Sequence, residues 1–429
     1  MKHLPQGGFL RAVSATLIAT WAALGMRLAL SVLVFRLLGA SVRGEYSVVV
    51  ALGMIVGSAL QLGLPGNAPF LLRKKKYSRW ELHISAWIVP LLVFAVFIAV
   101  RMVLPGWTLL FSRSVLALGE QPMAWAMVMM MLVPPTAVAT AVAAAGSEVG
   151  PLVMLNAGSA ALTLVSAAIL GAIGQLSLTT LLAVSVSSQA GVLALVYLTD
   201  YRLHRRRLPH WDRKRRWFAL LQHGTTGSTN NWINMVFKRM DLMIVNRLLG
   251  SDATGVYAIS QHFQEAILSV PRSSLGLVIG RLTRLEPVKA LAAYMDVAWK
   301  AGAGFAALAL VGAPAAALAT GWMLGHQGAG VAGLSAAMLV GGCLQAYAIL
   351  LQSIFYASGD LRYITRATIL SAVVFLAVSL LCIRPFGVIA LPLGLGLSAV
   401  ASGAMLWSGR GRCLSRNLGT TSGRFLASA

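Results

Sequence analysis

Twelve stretches of the chain are apolar over about the twenty residues that a helix needs to cross a bilayer core roughly 30 Å thick. They centre on residues 12–38, 45–70, 82–104, 122–145, 151–173, 176–198, 218–248, 256–280, 295–322, 330–357, 363–383 and 386–408. Polar or Gly/Pro punctuation divides them, as at Arg73-Lys74-Lys75-Lys76, Pro105-Gly106 and Gly174-Gln175. In lipid the backbone must satisfy its own polar groups, and runs of this length do so as helices. Composition agrees: of 429 residues 58% are hydrophobic and 11% charged, against about 25% charged in soluble domains. A water-soluble, secreted or disordered chain is excluded. The expected fold class is all-α, a polytopic membrane protein with about 12 transmembrane helices. Residues 12–38 contain Arg27 and Arg36 and no convincing cleavage site, so this stretch reads as an uncleaved first helix. The longest hydrophilic stretch, about 199–217, is too short for a soluble catalytic domain.

The formal net charge is +23. In a soluble protein that would point to nucleic acid; in a membrane protein the position of each charge matters more than the sum. With the N-terminus in the cytoplasm, 24 Lys/Arg fall in inside segments and 6 in outside ones (Arg36, Arg43, Arg101, Arg113, Arg247 and Arg384). The bias predicts cytoplasmic N- and C-termini and an even number of spans. The basic loop 202–216 then reads as a topology signal beside anionic lipid, with no nucleic-acid partner.

Cys343, Cys382 and Cys413 lack metal-ligand spacing and read as small hydrophobes, so no metal site and no disulfide framework is expected. There is no Walker A pattern and no H-E-x-x-H, and the seven His are scattered. No cofactor and no enzyme activity are expected. His223 and His262 are the histidines placed deeply enough to titrate usefully, with polar packing as the plainer role.

The most specific feature is an internal repeat. Arg36-Leu37-Leu38-Gly39, four residues, then Gly44-Glu45-Tyr46 recurs as Arg247-Leu248-Leu249-Gly250, four residues, then Gly255-Val256-Tyr257, at an offset of 211. A second echo, Ala145-Gly146-Ser147-Glu148 and Ser358-Gly359-Asp360, lies at an offset of 213. Six helices per half put both copies in the membrane in the same direction, as two pseudo-symmetric six-helix bundles around a central cavity. The halves are expected at 1–217 and 218–429, each with a basic cytoplasmic segment.

Intramembrane polar residues should mark the walls of that cavity. On the seventh helix Gly224, Gly227, Asn231, Asn234, Lys238 and Asp241 fall within a sector of about 100°. Arg239 is adjacent, and Lys238 with Asp241 could also neutralise each other. Arg27 on the first helix aligns with Lys238 at the repeat offset, and its face carries Thr16, Thr20, Ala23 and Ser31. Two cations at pseudo-symmetric positions suit an anionic group. The eighth helix brings Gln261, Glu265 and Arg272 to one side, with Pro271 as an expected kink. The tenth adds Gln345, Gln352 and Tyr356, which suit sugar hydroxyls or serve as interhelix glue.

The segment from Phe35-Arg36-Leu37-Leu38-Gly39 through Gly44-Glu45-Tyr46-Ser47 to Leu62-Gly63-Leu64-Pro65 resembles the polysaccharide transporter branch of the multidrug/oligosaccharidyl-lipid/polysaccharide exporter (MOP) superfamily. So do Asp241-Leu242-Met243-Ile244, Leu248-Leu249-Gly250 and Gly255-Val256-Tyr257-Ala258, and the Ala357-Ser358-Gly359-Asp360 turn. The resemblance covers most of the chain as a helix plan, and its short motifs specify family better than substrate. It implies two bundles, a cationic cavity and an O-antigen-type flippase of undecaprenyl-pyrophosphate-linked glycan in the bacterial inner membrane. On that expectation Arg27, Lys238, Arg239 and Arg272 bind pyrophosphate. Thr20, Asn231, Asn234, Gln261, Gln345, Gln352 and Tyr356 line the sugar path, and Asp241 or Glu265 couples an ion. Partners would be the lipid-linked glycan, membrane lipid and a polysaccharide polymerase or glycosyltransferases. The rivals are a cation-coupled exporter of drugs or metabolites, a non-transporting scaffold for polysaccharide synthesis and a membrane glycosyltransferase. No clear counterpart to the drug branch's acidic N-half site is present.

Overall fold

The computed structural model describes residues 6–73, 78–103, 120–145, 148–204, 215–282, 285, 287–325, 329–358 and 360–426. Side chains within 6–16, 215–234 and 410–426 lie outside the described set. Among the described residues there is no strand. The elements are α1 (Gln6–Leu60), α2 (Leu64–Arg73), α3 (Arg79–Val103), α4 (Glu120–Ala145) and α5 (Val149–Val153). A π turn (Met154–Gly158) continues α5 into α6 (Ser159–Ala172), and α7 (Leu178–His204) follows. After it come α8 (Arg215–Leu282), α9 (Pro287–Leu324), α10 (Ala329–Leu351), α11 (Ser353–Ser358), α12 (Leu361–Phe386) and α13 (Ala390–Leu426).

Among the described residues, eight stretches are long and apolar enough to span a bilayer, against twelve runs in the whole sequence. Leu17–Leu60 is a 44-residue stretch, about twice one crossing, and it breaks at the non-helical Gly39. Arg362–Gly409 is likewise 48 residues, interrupted at Gly387 with φ 59°. No part of α8 among the described residues is one of these eight stretches.

The chain divides into two compact units, 1–258 and 259–429, and the division falls inside α8. This boundary reflects packing, whereas the expected one at 217/218 follows the sequence repeat. In the first unit, Val49 of α1, Met129 and Leu132 of α4, and Leu182 and Leu193 of α7 form one buried cluster. Gly53 and Gly57 bring α1 onto α4: a Cβ built on Gly53 would lie 2.9 Å from the Met129 Cβ, and one on Gly57 2.6 Å from the Val133 Cβ. Small residues four apart let two helix backbones approach where lipid offers no hydrophobic drive to associate.

In the second unit, Ile267, Phe305, Leu339 and Cys343 join α8, α9 and α10. Tyr294, Phe355, Ile364 and Leu406 join α9, α11, α12 and α13. Outside these cores stand large apolar side chains, among them Trp322 at 83% and Leu381 at 77% exposure. In water a surface of this kind would aggregate; in hydrocarbon it is the expected outer face.

Candidate functional site

The two repeat copies have nearly the same backbone. Gly39 sits at φ 87°, ψ 173° and Gly250 at φ 89°, ψ 178°. A side chain there is strained, so glycine lets each long helix break at the equivalent point. Beyond each break the first unit contains a close crossing of α1 and α8. A Cβ on Gly44 would collide with the Ser251 carbonyl, and one on Gly255 with the Ala40 carbonyl. At the offset of 211, Gly44 corresponds to Gly255 and Ala40 to Ser251. The contact Gly44–Ser251 is therefore matched by Gly255–Ala40, the reciprocal pattern that a local two-fold axis produces. The Ser41 and Ser251 hydroxyls add a 2.8 Å hydrogen bond across it.

Each kinked pair of legs also has its own polar clamp. In the first copy, Arg43 is buried, donating to the Ser47 hydroxyl at 2.6 Å and the Ser31 hydroxyl at 2.8 Å. Its guanidinium lies 5.3 Å from the Tyr46 ring centroid. The helix resumes straight after Gly39 and carries the Arg43 side chain into the protein. In the second copy the clamp is acidic. The Tyr257 hydroxyl donates to Asp241 at 2.7 Å, and the Leu242 amide donates to the other carboxylate oxygen at 2.7 Å. Asp241 is 3% exposed and Tyr257 fully buried.

Of the remaining expected site residues in the first unit, Arg27 is exposed, and Thr20 and Arg239 are half-buried. The side chains of Asn231, Asn234 and Lys238 lie outside the described residues, as does His223. In the second unit Gln261 is buried, Glu265 half-buried and Arg272 exposed. The His262 Nδ1 stands 3.9 Å from Glu265. Pro271 lies inside α8, and the non-helical break in that helix is at Gly250, at positive φ. Gln345 accepts a 2.8 Å hydrogen bond from the Gln264 amide. Gln352 occupies the turn between α10 and α11, where its carbonyl accepts from the Phe355 and Tyr356 amides at 3.1 Å. Tyr356 packs against the Tyr294–Phe355 cluster.

Similarity to known proteins follows this plan. A multidrug resistance MATE family transporter of the MOP superfamily, in an inward-facing conformation, matches with a TM-score of 0.68 at 14% identity, covering 92% of this chain and 96% of that one. The fold is that of MOP-superfamily transporters. Lipid II flippase MurJ, in an inward closed conformation, shares the MOP fold with a TM-score of 0.67 at 11% identity, covering 91% of this chain and 86% of that one. A MOP superfamily transporter from Pyrococcus furiosus, described as having a binding pocket of reverse polarity, matches with a TM-score of 0.64 at 15% identity, covering 95% of each chain. The family described as Lipid II flippase MurJ matches residues 336–428. No curated protein matches in sequence.

Proposed function

We propose that this chain is a flippase carrying undecaprenyl-pyrophosphate-linked oligosaccharide, an O-antigen, capsule or exopolysaccharide repeat unit, across the bacterial inner membrane by alternating access. The observation that carries the reading is the reciprocal Gly44–Ser251 and Gly255–Ala40 crossing beyond two glycine breaks. Pseudo-symmetric bundles related along the membrane normal can rock about such a contact. The halves 1–217 and 218–429 are the moving parts in this reading, with both termini cytoplasmic, as the Lys/Arg bias requires.

Arg27, Lys238, Arg239 and Arg272 hold the pyrophosphate, a dense anion whose attraction to cations grows away from bulk water. Thr20, Asn231, Asn234, Gln261, Gln345, Gln352 and Tyr356 contact sugar, and Asp241 or Glu265 carries the coupling ion. The likeness to MurJ over 336–428 supports a lipid-linked cargo. It also favours a second reading, in which the cargo is lipid II; polysaccharide polymerases or glycosyltransferases are partners only in the first. Neither reading asks the chain to make or break a covalent bond.

In a host that lacks its own polysaccharide flippase, the wild-type chain restores surface polysaccharide. Arg27→Ala and Lys238→Ala, at normal membrane abundance, cut it at least tenfold. Rescue of a lipid II flippase depletion would move the assignment to lipid II. Unchanged polysaccharide in both variants would remove the pyrophosphate site.

A further inference from the structure

A second polar cluster lies at the opposite ends of the helices from the Gly39 break, entirely within the first unit. Arg79, the first residue of α3, has its Nη1 2.7 Å from Glu148 and 2.9 Å from Asp200. Glu148 precedes α5, and Asp200 is in the last turn of α7. One guanidinium is thus divided between two carboxylates from separate elements. One turn along α3, the His83 Nε2 stands 3.3 Å from the second Asp200 oxygen, with the His83 and Asp200 side chains 3% and 6% exposed.

The surroundings of this imidazole suit a cation. The Tyr197 ring centroid is 4.6 Å away and that of Trp80 5.9 Å, within the range over which an aromatic ring attracts a charge. Asp200 and Tyr197 face His83 from α7; Arg79 shares Asp200 with it and also reaches Glu148 before α5. Glu81 accepts the Ser78 amide at 2.6 Å, a capping box that starts α3.

In the second unit the Tyr294 hydroxyl donates to the Leu351 carbonyl at 3.3 Å, and the Tyr363 hydroxyl to the Met405 carbonyl at 3.0 Å. There Phe355 stacks on Tyr363 at 4.9 Å. The first unit holds a buried imidazole against a carboxylate.

We propose that His83 and Asp200 form a proton-binding site, distinct from the Asp241 and Glu265 positions, whose occupancy adds to the Arg79–Asp200 tie between α3 and α7. A proton on His83 turns the His83–Asp200 contact into a charge-assisted pair beside it. Its departure removes that added pair and leaves Asp200 to Arg79. In the orientation the Lys/Arg bias gives, the site lies toward the cytoplasmic end of α3 and α7, and it supplies the ion step of the proposed transport, on which reading its role in coupling rests.

The test uses the full-length protein in nanodiscs, its tryptophan fluorescence titrated from pH 5 to 8.5. Protonated imidazole quenches a neighbouring indole, so a step carried by Trp80 is expected. Trp80→Phe and His83→Gln abolish it and His262→Gln does not. Asp200→Asn, which keeps the imidazole and a hydrogen-bonding partner, displaces the midpoint, because an opposite charge has left. A step that survives His83→Gln, or a midpoint unmoved by Asp200→Asn, overturns the site. Should His83→Gln fail to fold, Asp200→Asn decides. If the step behaves as stated but no lipid-linked glycan is moved, the proton site stands and the transport reading falls.

Discussion

Tyr257 gives its hydroxyl proton to Asp241 where neither side chain meets solvent. A neutral donor on a buried carboxylate contributes about 1.5–3 kcal/mol, and removing it leaves the charge under-satisfied. Tyr257→Phe keeps the ring and its packing, so it isolates that bond. Thermal unfolding in detergent is expected to show a loss of about 2 kcal/mol. A loss below about 0.5 kcal/mol would mean that other groups hold the carboxylate. Arg43 does the equivalent work in the first copy with the opposite charge and a planar fork reaching two hydroxyls. Lysine offers a single point donor and cannot reproduce it. The sequence singled out Asp241 as an intramembrane carboxylate, but neither its partner nor the inward course of Arg43 was legible. Both depend on where the helix resumes after a glycine, and an apolar run looks the same on either side of that point.

At the scale of the element, the repeat was legible because it is written in short contiguous runs at one offset. Its physical meaning is a matched pair of positive-φ glycines followed by a matched pair of close approaches. The pairing of Gln264 with Gln345 was not legible, since two amides on separate helices carry no local signal of facing each other. The same holds for Arg79, which in sequence is one more basic residue in a cytoplasmic loop. The crossing makes a contrast that can be measured. Gly44→Ala and Gly255→Ala each push a methyl into a backbone carbonyl, which cannot turn aside as a side chain would. Each is expected to lower stability by about 1–3 kcal/mol. Gly25→Ala, on the same helix with nothing within 4 Å of the added methyl, is expected to be neutral or to stabilise by up to about 1 kcal/mol through helix propensity. Equal effects at all three positions would mean that the crossing is loose.

For the whole molecule the question is whether the crossing is a fixed scaffold or a contact that opens once per transport cycle. The Ser41 and Ser251 hydroxyls approach to 2.8 Å, so Ser41→Cys with Ser251→Cys places two thiols within reach of a disulfide. They sit next to the Gly44–Ser251 and Gly255–Ala40 contacts, and a covalent link there holds the crossing shut without touching Arg27, Lys238 or any residue of the proposed sugar path. If this contact opens once per cycle, oxidation of the double variant stops glycan translocation to below a tenth of the reduced level, and reductant restores it. The single variants, which retain the native Cys343, Cys382 and Cys413, should respond to neither. Full transport by a fully cross-linked protein would make the crossing a contact that stays closed through the cycle, with the bundles rocking about it. Loss in the double variant before oxidation would instead implicate the serine hydroxyls themselves. The outcome bears on the mechanism for any cargo, because it depends on symmetry and backbone approach alone.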